Sequence, residues 1–262
     1  LLSNTTATSN TAVGQRALEN NSTGGLNTAL GREALKYNTT AAANTAVGYQ
    51  AAYNTTTGTQ NVVMGRGAMH SNTTGSHNVA VGYEALVNNT SSSYLTAVGY
   101  QSLYSNTTGY ALVGVGWEAL YSNTTGTFNT AVGRQALRSG TTATYNTAVG
   151  YRAGYANTAD LIDAFGYSAL GSNTTGTKNV AMGVNSLGNN STGSFNVAMG
   201  TDALLNNTTA SANTAVGYQA LTSNTTGGDS AAFGYQAAQS NTTGSYFTAI
   251  GRQALFNNTT GS

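Results

Sequence analysis

One spacing constrains this chain more than any other feature. Glycine stands at Gly14, Gly31, Gly48, Gly65, Gly82, Gly99, Gly116, Gly133, Gly150, Gly166, Gly183, Gly200, Gly217, Gly234 and Gly251. Every step is 17 residues except Gly150 to Gly166, which is 16. A fixed period of this kind belongs to solenoids and arrays, in which each repeat buries its apolar residues only against its neighbours. The sequence therefore predicts one continuous solenoid of fifteen repeats over 1–262, with an irregular coil at 150–166.

Positions are counted here from the ladder glycine. Position −2 is almost always Ala (Ala12, Ala29, Ala46, Ala80, Ala97) and −1 is always apolar (Val13, Leu30, Met64, Phe165, Ile250). Ala or Ser stands at +3, usually Leu at +4 (Leu18, Leu35, Leu86), and nearly always Asn at +7 (Asn21, Asn38, Asn72, Asn106, Asn258). "TAV" is short, β-branched and bounded by Asn and Gly, which predicts a short strand with the residue before the glycine turned inward. In "YQAL" the apolar residues at −1, +3 and +4 have helical spacing, which predicts a helical turn. "SNTTG" is turn chemistry. The fold class expected is a mainly β repeat solenoid of parallel strands, one 17-residue coil per repeat, with like residues stacked as ladders. At the strand spacing of about 4.8 Å, fifteen coils would make a rod of roughly 70 Å. One residue type at a fixed offset in every copy implies a backbone site that a Cβ would obstruct, so Gly48, Gly82, Gly133 and Gly217 should be structurally equivalent.

Composition narrows the function classes. Only 6% of residues are charged and the net charge is +1, which leaves no basic surface to neutralise phosphates and argues against nucleic acid as a partner. The longest near-apolar stretch, "YALVGVGW" from Tyr110, falls far short of the about 20 residues a bilayer span needs, so no membrane insertion is expected. There is no Cys and no Pro.

The phrase "NTAVGYQAL-SNTTG" resembles repeats of phage tail fibres and of bacterial surface proteins. "NTAVG" and "NVAMG" are more loosely similar to the head repeats of trimeric autotransporter adhesins, which are shorter and lack the "YQAL" insert. The resemblance covers the whole chain. It implies an extended extracellular shaft on a virion or cell surface, often homotrimeric, that presents a recognition tip.

Several motifs invite a chemical reading. "GVGWEA" from Gly114 fits a dinucleotide-binding pattern, but the period accounts for it: Gly114 replaces the usual Ala and Gly116 is the ladder glycine. "GSNTTGTK" from Gly171 misses the P-loop pattern, because Thr177 separates Gly176 from Lys178. His70 and His77, without Cys or acids nearby, read as solvated surface residues. Glu33, Glu84 and Glu118 share position +2 but stand too far apart for an acid–base pair. Asp160 and Asp163, in the short repeat, suggest either a Ca²⁺ site or a deletion that bends or unpairs the stack with its acids in water; the second reading is preferred. "NTT" and "NST" are glycosylation sequons as well as good turn sequences. Aromatic residues at +1, namely Tyr49, Tyr83, Tyr100, Trp117, Tyr151, Tyr167, Tyr218 and Tyr235, together with Arg32, Arg66, Arg134 and Arg252, could bind a glycan or contact a neighbouring chain.

No catalytic, cofactor-binding or metal-ligating set emerges. The expected function is a non-enzymatic structural fibre, the shaft of a tail fibre or adhesin, that self-associates as a trimer. The alternatives are a secreted filament that polymerises end to end, and an ice- or glycan-binding solenoid. Adjacent Thr-Thr pairs argue against the ice reading, because neighbouring strand residues face opposite sides. The repeat enters and leaves mid-phrase, so the chain also reads as a segment of a longer fibre or a subunit whose ends stack on the next.

Overall fold

The computed structural model describes residues 3–261. The chain divides into two compact units, one ending at Asn129 and the other beginning at Thr130. Each is a parallel β-solenoid. The first holds β1 (Thr11–Val13), β2 (Thr28–Leu30), β3 (Thr45–Val47), β4 (Val62–Met64), β5 (Val79–Val81), β6 (Thr96–Val98) and β7 (Val113–Val115). The second holds β8 (Thr130–Val132), β9 (Thr147–Val149), β10 (Asp163–Phe165), β11 (Val180–Met182), β12 (Val197–Met199), β13 (Thr214–Val216), β14 (Ala231–Phe233) and β15 (Thr248–Ile250). Within each unit consecutive strands pair in parallel, and like positions meet: Thr28↔Thr45, Ala29↔Ala46, Leu30↔Val47.

The strands turn the opposite face inward from the one expected. The central residue at −2 is buried, with Ala29, Ala46, Ala148 and Ala215 fully so, whereas Val13, Leu30, Met182 and Phe233 at −1 are exposed. Side chains alternate along a strand, so −3 and −1 must share a face. The narrow interior accepts one small side chain per strand, opposite the Ala at +3 and the Leu at +4.

There is no helix among the described residues. "YQAL" is a run of turns with left-handed residues at +2 and +4, such as Gln50 (φ 54°) and Leu35 (φ 50°). Ala51 N closes a turn on Gly48 O at 3.3 Å, three residues back, and the N–H groups at +2 and +4 bond outside the coil. Gln50 N donates to Arg32 O at 3.0 Å in one neighbouring coil, and Leu35 N donates to Ala51 O at 3.0 Å in the other. The left-handed residue at +4 lets both +3 and +4 point inward, which is the feature that gave the sequence its helical spacing.

Asparagine closes each coil. Asn10 at −4 and Asn21 at +7 both donate through Nδ2 to Gly24 O, at 2.9 and 3.0 Å. Asn213 and Asn224 repeat the arrangement on Gly227 O, both at 2.8 Å. The Oδ1 atoms bond along the stack. Asn10 Oδ1 accepts Asn27 N at 2.8 Å, and Asn207 Oδ1 accepts Asn224 Nδ2 at 3.0 Å. Asn21, Asn207, Asn213 and Asn224 are fully buried yet bonded at both ends, as an interior polar group must be.

The 16-residue coil keeps the register. Asp163 pairs with Thr147 on one side and Val180 on the other, so the stack is not unpaired there. The lost residue comes from the corner after Asn157, whose Nδ2 bonds Ala159 O two residues on, where other coils reach three.

Two predictions follow from these ladders. The ladder glycines hold φ between +121° and +139°, including Gly48 at +135°, Gly82 at +138°, and Gly133 and Gly217 at +134°. A Cβ on Gly48 would lie 2.6 Å from Gly65 O, whereas one on Gly251 meets nothing within 4 Å. Gly251→Ala should cost only the backbone strain of about 1–3 kcal/mol. Gly48→Ala should cost clearly more; equal shifts in urea midpoint would refute the steric account. The second prediction concerns Thr55, which occupies an Asn position and leaves its own Oγ1 and Asn38 Oδ1, both buried, without a hydrogen-bond partner. Thr55→Asn should satisfy the ladder and raise stability by about 1–2 kcal/mol in denaturant unfolding.

Candidate binding faces

The outward residues of the strands form the outer face of the sheet in each unit. Thr or Val dominates at −3, and Val, Met, Leu, Phe or Ile stands at −1. In β1, β3, β6, β8, β9 and β13 the spacing is T-x-V, a pattern that the Thr-Thr pairs of the sequence obscure. Those pairs lie at the corners. Thr39 Oγ1 bonds Thr56 O at 3.0 Å and Thr56 Oγ1 bonds Thr73 O at 3.1 Å, so the first Thr of each pair is spent on joining coils.

Beside the sheet face runs the +1 column. Tyr83 stacks on Tyr100 at 5.3 Å between centroids, and Tyr218 on Tyr235 at 5.4 Å. Tyr49 lies between the guanidinium groups of Arg32 (5.7 Å) and Arg66 (5.9 Å), and Trp117 sits tilted on Tyr100 at 6.3 Å. Tyr49, Tyr100, Trp117, Tyr218 and Tyr235 are all exposed.

Two further aromatic columns went unrecognised in the sequence, although their residues recur at the same period. At +5, Tyr53 stacks on His70 at 4.8 Å and Tyr104 on Tyr121 at 5.1 Å. At −5, where the backbone is again left-handed, Leu26, Tyr94, Tyr145, Phe195 and Tyr246 stand exposed. His70 is thus half-buried on Tyr53 rather than solvated, and burial holds its pKa below the usual histidine value. His77 belongs to the other column and stacks on Tyr94 at 5.2 Å.

The remaining motifs resolve into ladder chemistry. Glu33 and Glu84 accept from Gln50 (2.9 Å) and Gln101 (2.8 Å), and Glu118 holds the same +2 position two coils beyond Glu84. Gln50's bond chiefly, with help from Lys36 and against burial, lowers the Glu33 pKa. Lys36 reaches Glu33 at 3.5 Å and Tyr53 Oη at 3.2 Å, and the tyrosine bond leads in raising its pKa. Asp160 accepts Thr144 N at 2.7 Å, as Ser76 Oγ accepts Thr59 N, while Asp163 lies exposed at the outer sheet face. No group of three or more potential metal ligands occurs among the described residues. Lys178 lies at −5 with its ammonium 4.9 Å from the Phe195 ring. The sequon residues Asn72 and Asn106 are fully buried with Nδ2 bonded to Gly75 O and Gly109 O, so the folded coil offers neither for glycosylation.

Gly114 is a packing partner. Ser102 replaces the usual Ala at +3, and its Oγ donates to Gly114 O at 2.7 Å. A Cβ on Gly114 would stand 2.7 Å from that Oγ. No protein-family model matches this sequence, and no curated protein matches it significantly.

The pairing of Ser102 with Gly114 gives a third prediction. Gly114→Ala alone should destabilise the first unit, and Ser102→Ala in the same chain should relieve most of that loss. Additive effects in the double-mutant cycle would show that the two sites are independent.

Proposed function

We propose that the chain is a non-enzymatic structural segment, the shaft of an extracellular fibre on a virion or cell surface. The observation that carries this reading is that nearly every side chain with chemistry to offer is committed to its counterpart one coil away. Asn bonds Asn, Thr bonds the next Thr carbonyl, Gln bonds Glu and Tyr stacks on Tyr. Such a stack transmits length and stiffness and gathers no convergent set of reactive groups. The resemblance to fibre repeats points the same way. The exposed apolar residues at −1, with the aromatic columns beside them, suit association between copies, as a trimer or along a filament.

Negative-stain electron microscopy with mass measurement in solution tests this reading. Elongated particles of constant width, containing more than one chain across that width, are expected. A compact globule, or hydrolysis of a polysaccharide panel by the purified protein, would overturn it.

The T-x-V face supports a second reading, an ice-binding surface. Thr96 and Val98 in the first unit, and Thr130 and Val132, Thr147 and Val149, and Thr214 and Val216 in the second, all point outward. Met64 stands up from the outer sheet face of the first unit, and Met182, Met199 and Phe233 from that of the second, and they interrupt the rows of Thr and Val, which is why this reading ranks second. Thermal hysteresis no greater than that of a control protein would end it.

A further inference from the structure

The +5 column has a gap. In the first unit it carries Glu19, Lys36, Tyr53, His70, Val87, Tyr104 and Tyr121 in successive coils. In the second it begins Arg138, Tyr155, then Gly171, Gly188 and Leu205. Two consecutive coils have no side chain to contribute. The result is a hollow of about 290 Å³ with Tyr155 at one end and Leu205 at the other. A comparable but smaller hollow, about 120 Å³, lies where Gly67 removes one side chain from the +2 column beside Tyr49, Arg66 and His70. Hollows on this surface thus follow the missing rungs of a ladder.

The spacing of this gap has a chemical meaning. Where rings occupy adjacent rungs they lie nearly parallel, 10° apart for Tyr53 and His70 and 7° for Tyr104 and Tyr121. The coil rise of about 4.8 Å is therefore close to a ring-stacking distance. On its other side, Tyr155 has the Arg138 guanidinium of the preceding coil, 6.0 Å from its centroid. Toward Gly171 no side chain continues the column. A six-membered ring entering there would occupy the next rung.

The rim selects the kind of ring. Arg152 lies 5.0 Å from the Tyr155 centroid and is anchored through Nε to Gln135 Oε1 at 2.9 Å, which leaves its terminal N–H groups as donors. Asn185 and Asn189 are oriented by bonds from Nδ2 to Asp202 Oδ1 (3.2 Å) and Asn206 Oδ1 (3.1 Å), which turns their Oδ1 atoms into acceptors for a ligand. Ser172 adds a hydroxyl at the edge. One aromatic wall with alternating donors and acceptors around it suits a ring with a C–H face and a hydroxylated perimeter. We propose that the gap at Gly171 and Gly188 is a binding site for a pyranose ring of a glycan, stacked on Tyr155 and held by Arg152, Asn185 and Asn189. The site stands on its own geometry and does not depend on the shaft reading.

Saturation-transfer difference NMR on the full chain tests it, with methyl β-D-glucopyranoside, methyl α-D-mannopyranoside and N-acetylglucosamine as probes. At least one sugar should show saturation concentrated on the C–H protons of one ring face. Tyr155→Ala, which removes the wall, and Gly171→Tyr, which refills the rung, should each reduce the signal several-fold while the strand circular dichroism is unchanged. Asn189→Leu, on the exposed rim, carries the same expectation should Gly171→Tyr fail to fold. No saturation with any of the three sugars, a signal that survives these variants, or saturation of p-cresol without any sugar would each overturn the proposal.

Discussion

The structure depends on one substitution of roles: asparagine side chains behave as extra peptide groups. A three-residue strand is too short to hold a coil by itself, and the corners leave carbonyls facing inward. The amides of Asn27 and Asn38 meet on Ala41 O, at 2.8 and 3.1 Å, from opposite ends of the coil. Each amide also bonds along the stack, so the interior carries a hydrogen-bonded network in two directions. In a low-dielectric interior such a network is strong when complete and costly when broken. Gln could not replace Asn, because its longer side chain would displace the amide from the shared carbonyl.

That network explains the rest of the repeat. Because Asn closes the coil, the apolar core can be thin: alanine from the strand, alanine or serine and usually leucine from the facing turns. Because the core is thin, the larger apolar residues of the strands must face out, as Met182 and Met199 do. Because the coils approach closely, the residue after the strand must be glycine, whose φ near +135° places the next carbonyl where a Cβ would be.

Much of this could be read from the sequence, and the errors have physical causes. The period, the parallel stack, the like-on-like register and the glycine column follow directly from recurrence. Which strand face is buried does not, because Ala and Val in "TAV" are both apolar and only the width of the core decides between them. "YQAL" misled for a related reason: apolar spacing reports which residues point inward, and a left-handed residue at Leu35 achieves what a helix would. Asn at −4 looked like a strand boundary, since the bond from Asn10 to Gly24 spans 14 residues and has no local signature. The site proposed at Gly171 and Gly188 was invisible while the +5 column was unrecognised; a gap has meaning only against the row it interrupts.

The 16-residue coil carries a consequence for how such a chain can change. Strand, glycine and both asparagines are pinned to their counterparts, so a residue gained or lost at any of them would shift a whole rank of partners. At the corner after Asn157 a residue is missing, yet Asn173 still bonds Asn157 and β10 still pairs on both sides. Length is therefore negotiable at that one corner, which recurs once per coil. A loop grafted there would hang from the scaffold without entering it, and grafts in successive coils would stand about 4.8 Å apart. The corners form a graduated scale, and the rest of the repeat is the ruler on which it is marked.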